Sequence, residues 1–221
     1  MVQAVIFDLD GTVLDNEEAW EEVFLRVANR NGIQYPVIGN RWIHEPGIGI
    51  SPNWEKFVGK GDQVDKLSKE TWELYQKEYS QRLSLRDGIV ELVTAIKEKG
   101  WQTALASGSN WDVVEKELEQ LDLYLAFDVT TTGEEVLAQK PDPEIYLLTS
   151  QKLGIDPQEC LVVEDSLAGV RAAVDAGMSI VAITSDYATR EDLKKAGVNL
   201  VVDYLNEVMV LLADYGGQNK I

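Results

Sequence analysis

Short apolar runs punctuate the chain at residues 4–7, 103–106, 126–129, 161–163, 180–183 and 200–202. They lack the polar alternation of a half-exposed strand. Continuous apolar runs of this length suit strands buried on both faces of a parallel sheet. Helical stripes follow most of them. Ile89, Leu92, Val93 and Ile96 recur at i, i+3, i+4 and i+7, and the stripe stops at Gly100, a natural left-handed residue after a helix. Trp111, Val114, Leu118 and Leu121 form a second stripe, and Val170, Ala173, Val174 and Gly177 a third. Strand–helix alternation predicts an α/β fold with a Rossmann-like parallel sheet flanked by helices.

Residues 16–86 break this rhythm. Trp20, Val23, Phe24, Val27 and Ala28 make a helical stripe. A second helix is predicted over 63–82, with Val64, Leu67, Thr71, Leu74 and Tyr75 on its apolar side. Between the two, Pro46, Gly47, Gly49 and Pro52 predict a turn-rich loop, and no strand signal is strong. The expectation is an α-helical module, 16–86, inserted into an α/β core made of 1–15 and 87–221. Hinges are expected near Asp15-Asn16 and Arg86-Asp87-Gly88.

The net charge of −18 and the isoelectric point near 4.4 change the picture of partners. Such a surface repels phosphate backbones and anionic lipid, so neither nucleic acid nor membrane is expected as a partner. The charge is uneven: residues 16–86 hold 11 acidic and 10 basic residues, and the remainder 27 and 10. An anionic substrate would meet less repulsion at the inserted module than at the core. The longest apolar run, 208–213, is far short of the ~20 residues of a membrane span. The first residues lack the layout of a secretory signal, and the single cysteine, Cys160, cannot form an internal disulfide. A cytoplasmic protein is expected.

Catalytic groups in open α/β sheets gather beyond the carboxyl ends of strands. Beyond the first run lies Asp8-Leu9-Asp10-Gly11-Thr12, and beyond the second Ser107-Gly108-Ser109-Asn110. Lys140-Pro141-Asp142-Pro143 lies past the third, and Glu164-Asp165-Ser166 closes the fourth. Asp8 and Asp10 are two apart on an extended segment and lean to one side. Close carboxylates repel unless a cation lies between them or one holds a proton. With Glu164 and Asp165 they make an oxygen-rich set suited to Mg²⁺. Lys140 and the Ser107 hydroxyl are then natural partners of an anionic group. Metal, lysine and hydroxyl or amide donors around one small anion describe a phosphoryl-transfer site.

These four segments, in this order and spacing, resemble the four motifs of the haloacid dehalogenase-like hydrolase superfamily, from about the first residue to about residue 185. The inserted helical module resembles the cap of its β-phosphoglucomutase-like subgroup. The resemblance implies that Asp8 is a nucleophile forming an aspartyl-phosphate. It implies that Asp10 protonates the leaving oxygen and then activates water. Mg²⁺ would be held by the Asp8 carboxylate, the Asp10 carbonyl and Asp165, with Glu164 ligating directly or through water. Ser107, Gly108 and Lys140 would bind the phosphoryl oxygens. The implied activity is Mg²⁺-dependent hydrolysis of a small phosphorylated metabolite, sugar-phosphate-like, by a monomer. Read without the resemblance, Ser107 and Asp165 also suit helix caps, and Glu164 a group behind the ligands.

An aspartate at position 10 speaks against the family's dehalogenases, which need no acid there. The family's phosphomutases place a histidine where Trp20 stands and a phosphate-binding arginine in the following cap loop. Here that loop reads Gly47-Ile48-Gly49-Ile50-Ser51, the nearest arginine being Arg41. Hydrolysis is therefore expected over mutase activity, with a non-catalytic phosphate- or partner-binding module as the third reading. His44 reads as a polar loop residue, the tryptophans as helix packing, Asp15 as structural and Cys160 as inert packing.

Overall fold

A computed structural model describes residues 1–35, 37–38, 41–42, 44–79 and 83–214, with side chains described for all of these except 37, 38, 41, 42 and 214. The side chain of Arg41 and the last residues of the predicted 63–82 helix, 80–82, lie outside the described residues.

Six parallel strands form the main sheet: β1 (Ala4–Phe7), β4 (Gln102–Ser107), β5 (Val129–Thr132), β6 (Cys160–Glu164), β7 (Ser179–Ile183) and β8 (Leu200–Val202). Their spatial order is β5-β4-β1-β6-β7-β8. The chain builds outward from β1 through β4 to β5, then returns to the other side of β1. Phe7 is paired with Leu105 on one side and Val163 on the other. The order therefore reverses at β1, and the crevice beyond its carboxyl end is where such sheets bind ligands.

Both sheet faces are covered, which is why the strands read as unbroken apolar runs. Val5 and Phe7 point into a cluster with Leu92, Leu118 and Val208. Ala4 and Ile6 point the other way, toward Ile145, Tyr146 and Ala173. The helices providing these layers are α4 (Ile89–Glu98), α5 (Trp111–Gln120), α6 (Glu144–Leu153), α7 (Leu167–Asp175), α8 (Arg190–Lys195) and α9 (Leu205–Asp214).

Three helices make up most of the inserted segment: α1 (Glu17–Arg30), α2 (Ile50–Val58) and α3 (Asp62–Glu78). Trp20, Phe24, Val27, Trp54, Leu67 and Tyr75 share an apolar cluster there, which Val113 of α5 joins from the sheet side. A two-residue antiparallel pair, β2 (Val37–Ile38) with β3 (Arg41–Trp42), completes it. The two linkers run side by side: Leu14 bridges Leu85, and Asp15 N–H donates to Ser84 C=O.

Several expectations shift. The third strand lies at 129–132, not 126–129, because Phe127 is spent on packing against Phe7 before the ladder starts. Residues 50–58 are helical, since Trp54 supplies a buried anchor that a Gly- and Pro-rich neighbourhood obscures. The short β2–β3 pair escaped because two residues carry no periodicity. In α7, Val170 and Ala173 are buried but Val174 is exposed, and Gly177 follows the helix.

Candidate active site

Asp8 follows β1 directly, and its backbone N–H donates to Val163 C=O at 3.1 Å. That bond continues the ladder and aims the side chain over the crevice. Ser107 ends β4 and Glu164 ends β6, so both flank Asp8. Lys140 reaches in from the segment between β5 and α6. Its ammonium donates to Asp8 Oδ1 at 2.5 Å, Glu164 Oε1 at 2.8 Å and Ala106 C=O at 3.1 Å. Its side chain is fully buried, so far from being a solvated surface lysine it is the cation at the centre of the site.

Asp8, Glu164 and Asp165 present carboxylate oxygens within 4.8 Å of one another, all buried. Burial raises Asp8 well above the usual carboxylate range, and Glu164 and Asp165 add to the rise while Lys140 opposes it. Asp165 is raised by burial first and by Glu164 and Glu17 next. Lys140, flanked by two carboxylates, stays protonated despite its burial. One lysine does not neutralise three carboxylates, and a divalent cation among them offsets that repulsion.

The three carboxylates are not equivalent. Glu164 is saturated: Lys140 and the Tyr146 hydroxyl donate to Oε1, and the Ser166 amide and hydroxyl to Oε2. Asp165 takes the Thr12 hydroxyl on Oδ1 at 3.0 Å. Its Oδ2 is buried without a partner, as is Oδ2 of Asp8. A buried carboxylate oxygen is costly to leave unpaired. Two of them, both hard oxygen donors, fit Mg²⁺. Gly11, at φ +77°, makes room: a Cβ there would lie 2.3 Å from Asp165 Oδ2. Asp165 caps no helix, for Ser166 caps α7 by accepting from the Gly169 amide.

Asp10 faces the other way, toward the inserted helices. Its Oδ1 accepts from Asn16 Nδ2 at 2.6 Å and Trp20 Nε1 at 2.7 Å, and its Oδ2 from the Ser109 hydroxyl at 3.3 Å. Burial raises its carboxyl, and the three donors pull it back. Ser107 accepts from the Ser109 amide. Gly108 packs against the loop at Gly47 and Gly49. Asp8, Lys140, Glu164 and Asp165 thus meet at one point, with Ser107 and Gly108 at the neighbouring strand end and Asp10 between that point and the helices.

A cavity of about 30 Å³ separates Asp10 from the inserted loop, with Glu17, Trp20, Phe24, His44 and Gly47 among its walls. His44 is buried, with Nε2 3.0 Å from Glu17 Oε2. Burial holds its imidazole down, at about 4, and pushes the Glu17 carboxyl up. His44 is thus the polar loop residue expected, but a buried one, and it is not a cation at neutral pH. The sequence reading placed Asn16 only at an expected hinge, did not single out Glu17, and took Trp20 for packing. Asn16 does stand at the α1 N-cap, but its side chain makes no capping bond.

Comparison with known proteins agrees with this architecture. The family model for haloacid dehalogenase-like hydrolases matches residues 2–177. A phosphorylated carbohydrates phosphatase of Thermotoga maritima is 33% identical over 80% of this chain and 82% of its own length. A fructose-1-phosphate phosphatase of Escherichia coli is 31% identical over 80% of this chain and 94% of its own. The crystal structure of a family IA, variant 3 hydrolase from Entamoeba histolytica superposes with a TM-score of 0.79 at 27% identity, covering 96% of this chain and 99% of that one.

Proposed function

The chain belongs to the haloacid dehalogenase-like hydrolases, and from that premise we propose that it is a Mg²⁺-dependent phosphatase of small sugar or polyol phosphate monoesters. The observation that carries this reading is Lys140 bridging Asp8 and Glu164 beside two unpartnered oxygens, on Asp8 and Asp165. Relatives named for phosphorylated carbohydrates and fructose 1-phosphate support the substrate class. The inserted segment, 16–86, acts as the cap of a core formed by 1–15 and 87–221.

Asp8 and Asp165, with the Asp10 carbonyl, would hold Mg²⁺. Glu164, whose oxygens are filled by protein donors, would act through Lys140 or a water. Bound there, the ion screens the charge of nucleophile and phosphate. Asp8 attacks phosphorus as the bond to the leaving oxygen breaks, and Asp10 delivers its proton to that oxygen. In the second half Asp10, now a carboxylate, takes a proton from water. The water oxygen bonds phosphorus, the bond to Asp8 breaks, and inorganic phosphate leaves. Lys140, Ser107 and the Gly108 segment hold the phosphoryl oxygens. Burial raises the Asp10 carboxyl, the direction that favours its carrying the proton the first step spends.

The cavity above Asp10 has room for a water or two and not for a sugar. Substrate entry therefore needs the loop at Gly47–Gly49 to lift, which makes this a closed arrangement. The test is phosphate release from a panel of phosphorylated metabolites, with Mg²⁺ or EDTA, for wild type and Asp8→Asn. Release that needs Mg²⁺ and fails in Asp8→Asn is expected. Folded protein silent across the panel would overturn the reading.

A further inference from the structure

One buried polar string runs from the proposed acid to residues that the chemistry above does not use. It starts at Asp10, which accepts from Asn16 and from Trp20 of α1. Asn16 spends its whole amide there. Its Oδ1 accepts from the Gly11 amide at 3.2 Å, and its Nδ2 donates to Asp10 at 2.6 Å and to the Tyr75 hydroxyl at 3.1 Å. Tyr75, on α3, donates in turn to Glu117 Oε1 on α5 at 3.0 Å. Trp20 stacks flat on Tyr75, with ring centroids 3.7 Å apart at 1°, and sends its own N–H to Asp10.

The string is expensive. An asparagine at a helix start ordinarily caps the helix, and Asn16 forgoes that bond. Glu117 is 2% exposed, with Oε2 left unpartnered. Burial pushes its carboxyl well above the usual range and raises the Tyr75 phenol likewise. Helix packing alone asks for none of these groups, and an apolar residue at 117 would pack at less cost. What the string does achieve is geometric. Tyr75 orients Asn16, and Asn16 orients Asp10, only while α3 is seated against α5.

We propose that Asn16, Tyr75 and Glu117 are positioning residues that hold the Asp10 carboxyl toward the leaving group, and do so only when the cap is seated on the core. An open cap separates Tyr75 from Glu117 and frees the Asn16 amide. Proton delivery is thereby confined to the closed state, when bulk water is excluded. The proposal rests on the phosphatase reading and on Asp10 as its acid.

The experiment compares kcat/KM for two kinds of substrate. Sorbitol 6-phosphate and fructose 1-phosphate leave as alkoxides and need the proton. p-Nitrophenyl phosphate leaves as a stable phenolate and needs it far less. The index is the ratio of the two values, measured for wild type, Asp10→Asn, Tyr75→Phe, Glu117→Gln and the double variant Asp10→Asn with Tyr75→Phe. Tyr75→Phe keeps the ring stacked on Trp20, and Glu117→Gln keeps the shape. Tyr75→Phe is expected to lower the ratio about 10-fold, a part of the ~100-fold or more that general acid catalysis supplies. Its effect should vanish in the Asp10→Asn background. Equal loss on both substrates, or no loss, in Tyr75→Phe and Glu117→Gln would overturn the positioning role while Asp10→Asn still shifts the ratio. An unshifted ratio in Asp10→Asn itself would overturn the acid assignment and the proposal with it.

Discussion

Gly49 lies so close to Gly108 that a Cβ on Gly49 would come within 2.6 Å of the Gly108 carbonyl oxygen. One glycine belongs to the inserted loop and the other to the turn after β4. Their contact is where the cap meets the proposed phosphate-binding segment, and it leaves no space for a side chain on either.

Gly49→Ala should therefore act on closure rather than on the core. Gly49 has φ +83°, and an alanine in a left-handed conformation costs roughly 1–2 kcal/mol. The added carbon also pushes the loop off Gly108. The expected outcome is a fall in kcat of ~10-fold or more with a small loss of stability. A steady-state comparison and a denaturant titration check it. Full activity would mean that the loop does not need this contact during turnover.

Lys140→Met should destabilise strongly. It leaves Asp8 and Glu164 buried without their shared cation. Breaking a buried pair by removing one partner costs about 3–5 kcal/mol. A chemical-denaturation midpoint measures it, and a loss under ~1 kcal/mol would show that both acids simply take up protons.

Mg²⁺ should raise the melting temperature, and Asp165→Asn should remove most of that gain. At 100 times the dissociation constant the stabilisation is about 2.7 kcal/mol. A thermal scan against Mg²⁺ concentration decides. A variant that responds like wild type would take Asp165 out of the metal set.

Glu117 should make the folded chain lose stability as pH rises. Burial raises its carboxyl well above the usual 4.5. Its contribution is thus fully present below about 4.5 and is lost as pH climbs through the folded value. The slope in that window is about 1.4 kcal/mol per pH unit, because the unfolded chain has released a proton that the folded chain keeps. Glu117→Gln should flatten the limb. Denaturant midpoints between pH 4.5 and 8 test it, and parallel profiles for the two proteins would mean that Glu117 is ionised in the fold.

Much of the site was legible in the chain because it sits on short, local signals. Asp8, Ser107 and Glu164-Asp165 each lie at the end of an apolar run, Lys140 follows in a Pro-rich segment further on, and short apolar runs bounded by turn signals suit buried strands. The insertion showed as a break in rhythm and in charge. The pairings across it did not. Trp20 has the spacing of a packing residue, and its indole carbon does pack. Only the direction of its N–H makes it a partner of Asp10. His44 reads as a polar loop residue, and nothing local shows that Phe24 of α1 and Tyr187 enclose it.

By itself, then, the sequence determined which carboxylates and which serine stand at strand ends, since period and local order decide where strands stop. It also determined that a mostly helical stretch lies between β1 and β4. Tertiary structure alone decided which oxygens are filled and which are left over. Glu164 is satisfied by Tyr146 and Ser166, while Asp8 and Asp165 keep an unpaired oxygen each. It also decided that Asp10 belongs to a string ending at Glu117, 107 positions away in the chain. Hydrogen bonds act over about 3 Å whatever the separation along the chain, so no local pattern encodes which distant groups will meet.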